Sequence, residues 1–337
     1  MKIVDKILFI AFVVFYSLLS PVVAMDEDFI PPAVKGTRAV NGYICVSDER
    51  PPYPHPDNPY KTYHTTLSDC FLKQHDNPSY QFPTSGDNVI ELGDYRIDRG
   101  MHLGYGDDGY VYLARHIPTE IYVAAKSRGM TYGREEYHNE YKRLALLGQL
   151  YAAWTKGKEA NDYCHAYLII PFIDGKQISK YSNSQGSLPW IKTTLEGTQL
   201  QFSDLSAGLR LLRSMADQLM YITQKGVLHD QDVGNIMITN DYQDVVLFDF
   251  GSSGDLSRSP SIDLPPFDAS TFVVPIYGFC CNYILGTRKY LDDLREGQIT
   301  GPLPIVDFLK VISIDHWGLK LDIFLDALKT LEQSTFQ

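Results

Sequence analysis

Several side chains that could bind a cation lie in one short loop of the sequence. The segment VLHDQDVGN contains Asp230, Asp232 and Asn235. A predicted hairpin follows this loop and brings Asp249 back beside the first group. Carboxylate and amide oxygens suit a hard divalent cation such as Mg²⁺. The loop and the end of the hairpin therefore bring acidic and amide side chains of this type close together.

A glycine-rich segment upstream could bring backbone amides close to phosphate groups. Residues 103–114 read LGYGDDGYVYLA and place Gly104, Gly106 and Gly109 between two strand-like runs. Glycine has no Cβ, so its backbone can approach a phosphate and present its N–H group. The pattern alone also fits an ordinary β-turn. A dinucleotide-binding fingerprint is disfavoured, because a strand and not a helix follows the glycines.

The hydrophobic pattern predicts the elements that must position these residues. Short β-like runs from Tyr95 to residue 127 predict three antiparallel strands. A charged helix is expected from Arg134 to Leu150, and an apolar strand is expected to end near Ile173. Apolar residues then recur at spacings of three and four, which predicts a long amphipathic helix from Leu205 to Ile222. This helix leads directly into the VLHDQDVGN loop.

The order of these motifs resembles that of the protein-kinase superfamily over residues 92–290. The glycine-rich loop is followed by VAAK, an acidic helix, the long helix, HDxxxxN and DFG. The resemblance implies an α+β, bilobal protein-kinase-like fold, with a small antiparallel β-rich N-lobe and a reduced helical C-lobe. The N-lobe is then expected at residues 91–173 and the C-lobe at residues 174–337.

The resemblance also implies how ATP would be bound. Lys126 would hold the α- and β-phosphates and would be paired with a carboxylate from the following helix. Glu140 is the first choice for that carboxylate, and Glu136 is the alternative. The implied ATP-binding residues are Leu103, Gly104, Gly106, Gly109, Val111, Lys126 and Glu140.

The catalytic and metal-binding residues follow from the same resemblance. Asp230 would accept or orient the proton of the substrate hydroxyl, and Lys126 would act with it as a catalytic residue. Asn235 and Asp249 would bind Mg²⁺, or Mn²⁺ in its place. The implied cofactors are therefore ATP and a divalent cation.

Charge and the N-terminal residues limit location and partners. A net charge of −11 argues against a nucleic-acid surface, because phosphate backbones favour clustered Lys and Arg. Residues 1–24 carry two lysines, an apolar run and small residues up to Ala24, the pattern of a secretory signal peptide. A membrane anchor is the alternative, although the apolar run is short for a bilayer span. We expect a secreted or secretory-lumen protein with no stable membrane span and no nucleic-acid partner.

Residues 25–90 are rich in Pro and Tyr and show no sustained period. They are expected to form an extension that is either loosely ordered or wrapped on the main domain.

The leading expectation is a secreted, atypical protein kinase that transfers the γ-phosphoryl group of ATP to a protein hydroxyl, of Ser or Thr in preference to Tyr. Asp232, Asp107 and Asp108 place extra carboxylates near the expected phosphates, which favours a pseudokinase acting as a secreted binding or effector module. A small-molecule kinase of the aminoglycoside or choline type is a further alternative. The protein substrate is not specified, and host proteins would be partners if the protein is delivered into another cell.

Overall fold

The structure of the protein is a computed structural model. It describes residues 39–53, 55–106, 109–129, 134–156, 165–178, 193–202, 204–229, 233–251, 253–255, 284–285, 290–300, 303–314 and 321–335. The predictions made for residues 1–24, Asp107, Asp108, Asp230 and Asp232 lie outside the described residues. Residues Thr37–Gln337 form one compact unit.

The largest element is a sheet of eight strands. They are β1 (Ala39–Val40), β2 (Tyr43–Cys45), β3 (Val89–Leu92), β4 (Tyr95–Gly106), β5 (Gly109–His116), β6 (Tyr122–Gly129), β7 (Ala152–Lys156) and β8 (His165–Pro171). Their order across the sheet is β1-β2-β7-β8-β6-β5-β4-β3, and all neighbours are antiparallel. The three antiparallel strands predicted between Tyr95 and residue 127 are confirmed as β4, β5 and β6.

Alternation along these strands separates two apolar layers. Val123 and Ala125 of β6 pack in one buried cluster with Tyr167 and Ile169 of β8. Leu168, which lies between the last two, packs instead in a second cluster together with the long helix. Because successive side chains of a strand point to opposite faces, the even-numbered residues of β6 face this second layer.

Five of the six described helices contribute buried residues to the second layer. The six are α1 (Asp69–Gln74), α2 (Arg134–Leu146), α3 (Leu205–Gln224), α4 (Leu291–Arg295), α5 (Leu303–Ile314) and α6 (Leu321–Thr335). The predicted long helix is confirmed as α3, which begins after Asp204, whose side chain accepts the backbone N–H of Ala207. Gly226 follows its end with φ +77°, a conformation that costs glycine little. In the described part of the chain, no helix is both long and apolar enough to cross a bilayer.

The segments that follow β8 form smaller sheets. The strands are β9 (Gly175–Gln177), β10 (Thr193–Glu196), β11 (Gln199–Phe202), β12 (Val227–Leu228), β13 (Ile236–Thr239), β14 (Val245–Leu247) and β15 (Gly254–Asp255). Strands β13 and β14 form the hairpin predicted after the VLHDQDVGN loop, and β9 pairs with the other edge of β13.

The segment before residue 90 contributes to the same unit. Strand β2 pairs with β7, and Arg50 donates hydrogen bonds to the carbonyl oxygens of Leu150 (2.7 Å) and Gly148 (2.5 Å), just after α2. Ser68 caps α1 and also binds Asp174, with its Oγ 2.8 Å from Oδ1 and its backbone N 3.1 Å from Oδ2. In the described residues, this segment is therefore attached to the main sheet and to the loop after β8.

The expected α+β, bilobal fold with a small β-rich N-lobe and a reduced helical C-lobe is wrong. One eight-stranded sheet dominates the described residues, the helices are comparatively few, and Thr37–Gln337 is a single compact unit. Strand β2 lies in a segment without clear periodicity and pairs with β7, more than one hundred residues away. Local patterns carry no information about such pairing, which explains the error. The domain boundaries drawn at residues 24, 90 and 173 stay predictions.

Candidate functional site

A cleft of about 620 Å³ lies between the second face of the large sheet, the β13–β14 hairpin and α1. We call Lys126, Glu140 and Asp249 its charged end, and Tyr60, Phe71, His75 and Phe172 its aromatic end. Between the two ends, the lining includes Leu103, Gly104, Val111, Ala124, Ile170, Met237 and Leu247. The cleft therefore joins a polar end to an apolar channel, as is usual for small-molecule sites.

Lys126 is placed at the charged end by its position on β6. It pairs with Val111 of β5 and Leu168 of β8, at the centre of the sheet. Its Nζ atom lies 2.8 Å from Oε1 of Glu140 and 2.6 Å from Oδ1 of Asp249, and 10% of its side chain is exposed. The ammonium group is thus held between two carboxylates at the border of the cleft.

Glu140 is the buried partner of this ammonium group. Its side chain is 1% exposed and also lies 3.2 Å from Nη2 of Arg128, through Oε2. Burial raises the pKa of Glu140, although the charges of Lys126 and Arg128 lower it. The sequence offered Glu136 as the alternative partner, but its side chain lies outside the described part of the structure.

Asp249 is the more accessible carboxylate and occupies an unusual backbone conformation. It follows β14 with φ +58°, a left-handed value that is uncommon for residues other than glycine. Its side chain is 37% exposed. Burial raises the pKa of Asp249, but the Lys126 ammonium, the backbone N–H of Gly251 and the charge of Arg128 together hold the pKa below its usual range. The carboxylate is therefore ionised at neutral pH.

The backbone around Asp249 is held by three hydrogen bonds from side chains of other elements. His229 lies 2.7 Å, through Nε2, from the carbonyl oxygen of Phe248, and its ring packs edge-on against Phe250 at 5.3 Å. Arg143 of α2 donates to the carbonyl oxygens of Phe250 (2.8 Å) and Gly251 (3.0 Å). The Asp249-Phe250-Gly251 turn is consequently connected to the same helix that carries Glu140.

Asn235 lies beside this turn. Its carbonyl oxygen accepts the backbone N–H of Phe248 at 3.0 Å, one residue before Asp249. No group of three or more His, Cys, Asp or Glu side chains in the described residues is arranged to hold a metal ion. A carboxylate and an amide fit Mg²⁺, which is commonly bound by one or two protein oxygens together with phosphate oxygens. By donor type, Asp249 at the cleft and Asn235 beside its turn suit a cation that arrives with a phosphorylated ligand.

One part of the glycine-rich hairpin lines the cleft, and the other part lies outside the described lining. Leu103, Gly104 and Val111 line the cleft, and Gly104 pairs with Val111 across β4 and β5. Gly106 and Gly109 pair with each other at the far end of these strands, outside the described lining. A side chain at Gly109 would collide with the carbonyl oxygen of Ser127, so this glycine is also required by strand packing.

Sequence reasoning missed two contributions to the site. Arg128 lies two residues after Lys126, so the alternation of β6 places both side chains on one face, a signal that was available. It is 2% exposed and contacts Glu140. The aromatic end had no comparable signal, because Tyr60 and Phe71 lie in a segment without regular periodicity.

Comparison with models of known families and with curated protein sequences found no match for this chain. The chemistry of the site is therefore inferred from its residues. At the end of this apolar cleft, the Lys126 ammonium can bind an anionic group of a ligand. The ionised Asp249 carboxylate beside it can bind a divalent cation.

Proposed function

We propose that this protein is an ATP-dependent phosphotransferase that moves the γ-phosphoryl group of ATP to a protein hydroxyl, of Ser or Thr in preference to Tyr. The observation that carries this proposal is the Lys126 ammonium, held between the buried Glu140 carboxylate and the accessible Asp249 carboxylate. The order of the motifs, which resembles that of protein kinases, supports the same chemistry. The fold is not part of the support.

Phosphoryl transfer requires positioning and charge neutralisation more than covalent chemistry by the protein. Lys126 would bind phosphate oxygens of ATP, while Glu140 orients its ammonium group. Leu103, Gly104 and Val111 would contact the nucleoside. Each of these residues lines the cleft, so one bound molecule could reach all of them.

Asn235 and Asp249 would hold Mg²⁺ or Mn²⁺ next to the phosphates. When bound, the cation would neutralise charge on the β- and γ-phosphates. Asp249 suits this role because its depressed pKa keeps it ionised at neutral pH. Asp230 is the proposed residue that accepts or orients the proton of the acceptor hydroxyl, and it follows His229, which contacts the Asp249 turn.

Transfer of labelled γ-phosphate from ATP tests this function. The purified protein would be incubated with Mg²⁺ or Mn²⁺ and with itself, generic protein substrates, amino sugars or choline as acceptors. The Asp249→Ala variant should lose transfer by at least about 100-fold. Asp217→Ala is the matched control, since Asp217 is a 43% exposed member of a surface ion pair on α3 and should leave transfer unchanged.

The result separates the candidate functions. Label on protein from the parent and the control, but not from Asp249→Ala, is the expected outcome. Label on an amino sugar or choline would replace the protein acceptor with a small molecule. ATP binding without any transfer would indicate a binding module, and absence of both would refute the proposal.

The proposed location is the secretory lumen or the cell exterior, on the basis of residues 1–24. N-terminal sequencing of the protein recovered from the medium of expressing cells tests this location. A chain that begins near Met25 is expected. A chain that stays in the cytosol and retains residues 1–24 would refute it.

A further inference from the structure

The aromatic end of the cleft is formed by the segment that precedes the long strands of the sheet. Tyr60, Phe71, Gln74 and His75 all line the cleft. Lys126 pairs with Leu168, whereas Val123 pairs with Pro171. Phe172 of the aromatic end directly follows Pro171, so four residues, or about 13 Å, separate it along the chain from the position opposite Lys126.

Ring contacts build this end as a packed wall. Phe71 is 3% exposed, and its ring lies edge-on to that of Phe172 at 5.1 Å. His75 directly follows α1, one turn after Phe71, and its ring lies 4.4 Å from the Phe71 ring. Leu103 packs against the same cluster and continues into the nucleoside-binding lining proposed above.

Hydrogen bonds fix α1 in this position. The buried Asp174 carboxylate accepts from Ser68 before α1 and from Nδ2 of Asn240 at 2.5 Å. Gln74, at the end of α1, donates through Nε2 to Oδ1 of Asn240 at 3.1 Å. Both ends of the short helix are thus attached to loops that border the cleft, after β8 and after β13.

Tyr60 adds an independent indication of a ligand. It is 5% exposed, and among the described residues its hydroxyl has no hydrogen-bond partner. Burial raises the pKa of Tyr60, so the hydroxyl stays protonated and able to donate. A buried polar group without a partner is destabilising, and at the border of a cleft a bound molecule can satisfy it.

We infer that Tyr60, Phe71, Gln74 and His75 form a specificity-determining wall that contacts the end of the ligand remote from its phosphates. The combination of ring faces with a hydroxyl and a carboxamide suits a flat heteroaromatic group, which is the chemistry of a purine base. This inference rests on the proposed function, because the charged end defines which part of the ligand lies at Lys126. The segment before residue 90 is then part of the binding site.

Selectivity among nucleotides tests the wall. Calorimetric titration with ATP, GTP and N6-benzyl-ATP would compare the parent protein with His75→Ala and Gln74→Ala. Removing the His75 ring should weaken ATP binding by about threefold to tenfold. The affinity for N6-benzyl-ATP relative to that for ATP should rise by at least about fivefold. Lys73→Ala is the matched control, since Lys73 is an exposed residue of the same helix outside the described lining.

Tyr60→Phe provides a second variant that removes one atom. We expect weaker ATP binding by about threefold to tenfold, with no loss of thermal stability in the absence of nucleotide. This variant decides the question if His75→Ala fails to fold.

The failures of the two proposals are distinguishable. A parent protein that binds ATP, with unchanged nucleotide preference in every folded wall variant, would overturn the wall and leave the proposed function intact. A parent that binds no nucleotide with Mg²⁺ or Mn²⁺ would overturn both. A change of equal size in Lys73→Ala would show a general effect of α1 and would also overturn the wall.

Discussion

The charged end of the cleft is held by ion pairs, whereas the aromatic end is held by ring packing and by the hydrogen bonds that fix α1. Lys126 lies within 2.8 Å of two carboxylates, which fixes the direction of each group. Phe71 and Phe172 contribute apolar area and shape, and neither depends on charge. Under the proposed function, the charged end would provide the chemistry, and the aromatic end would support and select the ligand.

A substitution that keeps the charge of Lys126 gives the largest expected effect on activity. Lys126→Arg should reduce γ-phosphoryl transfer by at least about 100-fold, because a planar guanidinium cannot replace a compact ammonium between two carboxylates. Radiolabel transfer and urea unfolding would be measured together, with Lys156→Arg on β7 as control. If Lys126→Arg retained transfer, the two ends would not differ in their effect on the chemistry.

Truncation of Phe71 gives the opposite pattern. Phe71→Ala should lower the free energy of unfolding by about 3–4 kcal/mol, since a buried ring is replaced by a cavity. Folded protein should still transfer phosphate at saturating ATP. Urea unfolding measures the loss, and Tyr53→Ala, at a ring that is 49% exposed, should cost less than about 1 kcal/mol. Equal losses in both variants would contradict a packed aromatic end.

Asp174→Asn should have a smaller effect, because it keeps the shape of a buried side chain and removes acceptor capacity. Three hydrogen bonds converge on this carboxylate, from Ser68 and Asn240. We expect a loss of about 1–2 kcal/mol in unfolding free energy and faster amide hydrogen exchange at Ser68. Unchanged exchange would show that α1 is held by its aromatic contacts alone. Asp217→Asn on the exposed surface of α3 is the control.

The smallest expected effect is the pH dependence that Glu140 contributes. Its raised pKa means that the folded protein binds a proton where the unfolded chain, with a pKa of about 4.3, has lost it. The free energy of unfolding should therefore fall as the pH rises through this window. Glu140→Gln lacks this titration, so urea unfolding should show that the stability of the parent relative to the variant decreases from about pH 4.5 upward.

The opposite slope would show that Lys126 and Arg128 outweigh burial. The other carboxylate at this end titrates elsewhere, since the depressed pKa of Asp249 places its window below about pH 3.9.

Local patterns in the sequence were sufficient for the elements at the charged end. Strands β5 and β6 and helix α3 follow from alternation and from apolar spacing, and the VAAK and DFG strings direct attention to Lys126 and Asp249. The predicted helix from Arg134 to Leu150 ends earlier, at Leu146, and Gly148 follows with φ +63°. Its early end reflects a glycine that favours a turn.

The overall fold and the aromatic end depend on contacts that no local pattern encodes. Tyr43 of β2 pairs with Lys156, and Phe71 packs against Phe172, across about one hundred residues in each case. The segment that makes these contacts is rich in Pro and polar residues, so its sequence resembles that of a loop. The role of this segment depends on its partners in β7 and just after β8, which its own sequence does not reveal.

Arg50 has a consequence for the order of folding. Its two hydrogen bonds join the segment before the sheet to the carbonyl oxygens just after α2, across 98 and 100 residues. Contacts that close such long loops form slowly, because chain entropy must be lost before they stabilise anything. Lys126 on β6 and Glu140 on α2 are only 14 residues apart, yet the end of α2 is secured by this late contact. During refolding, nucleotide binding should therefore develop after most of the secondary structure has formed.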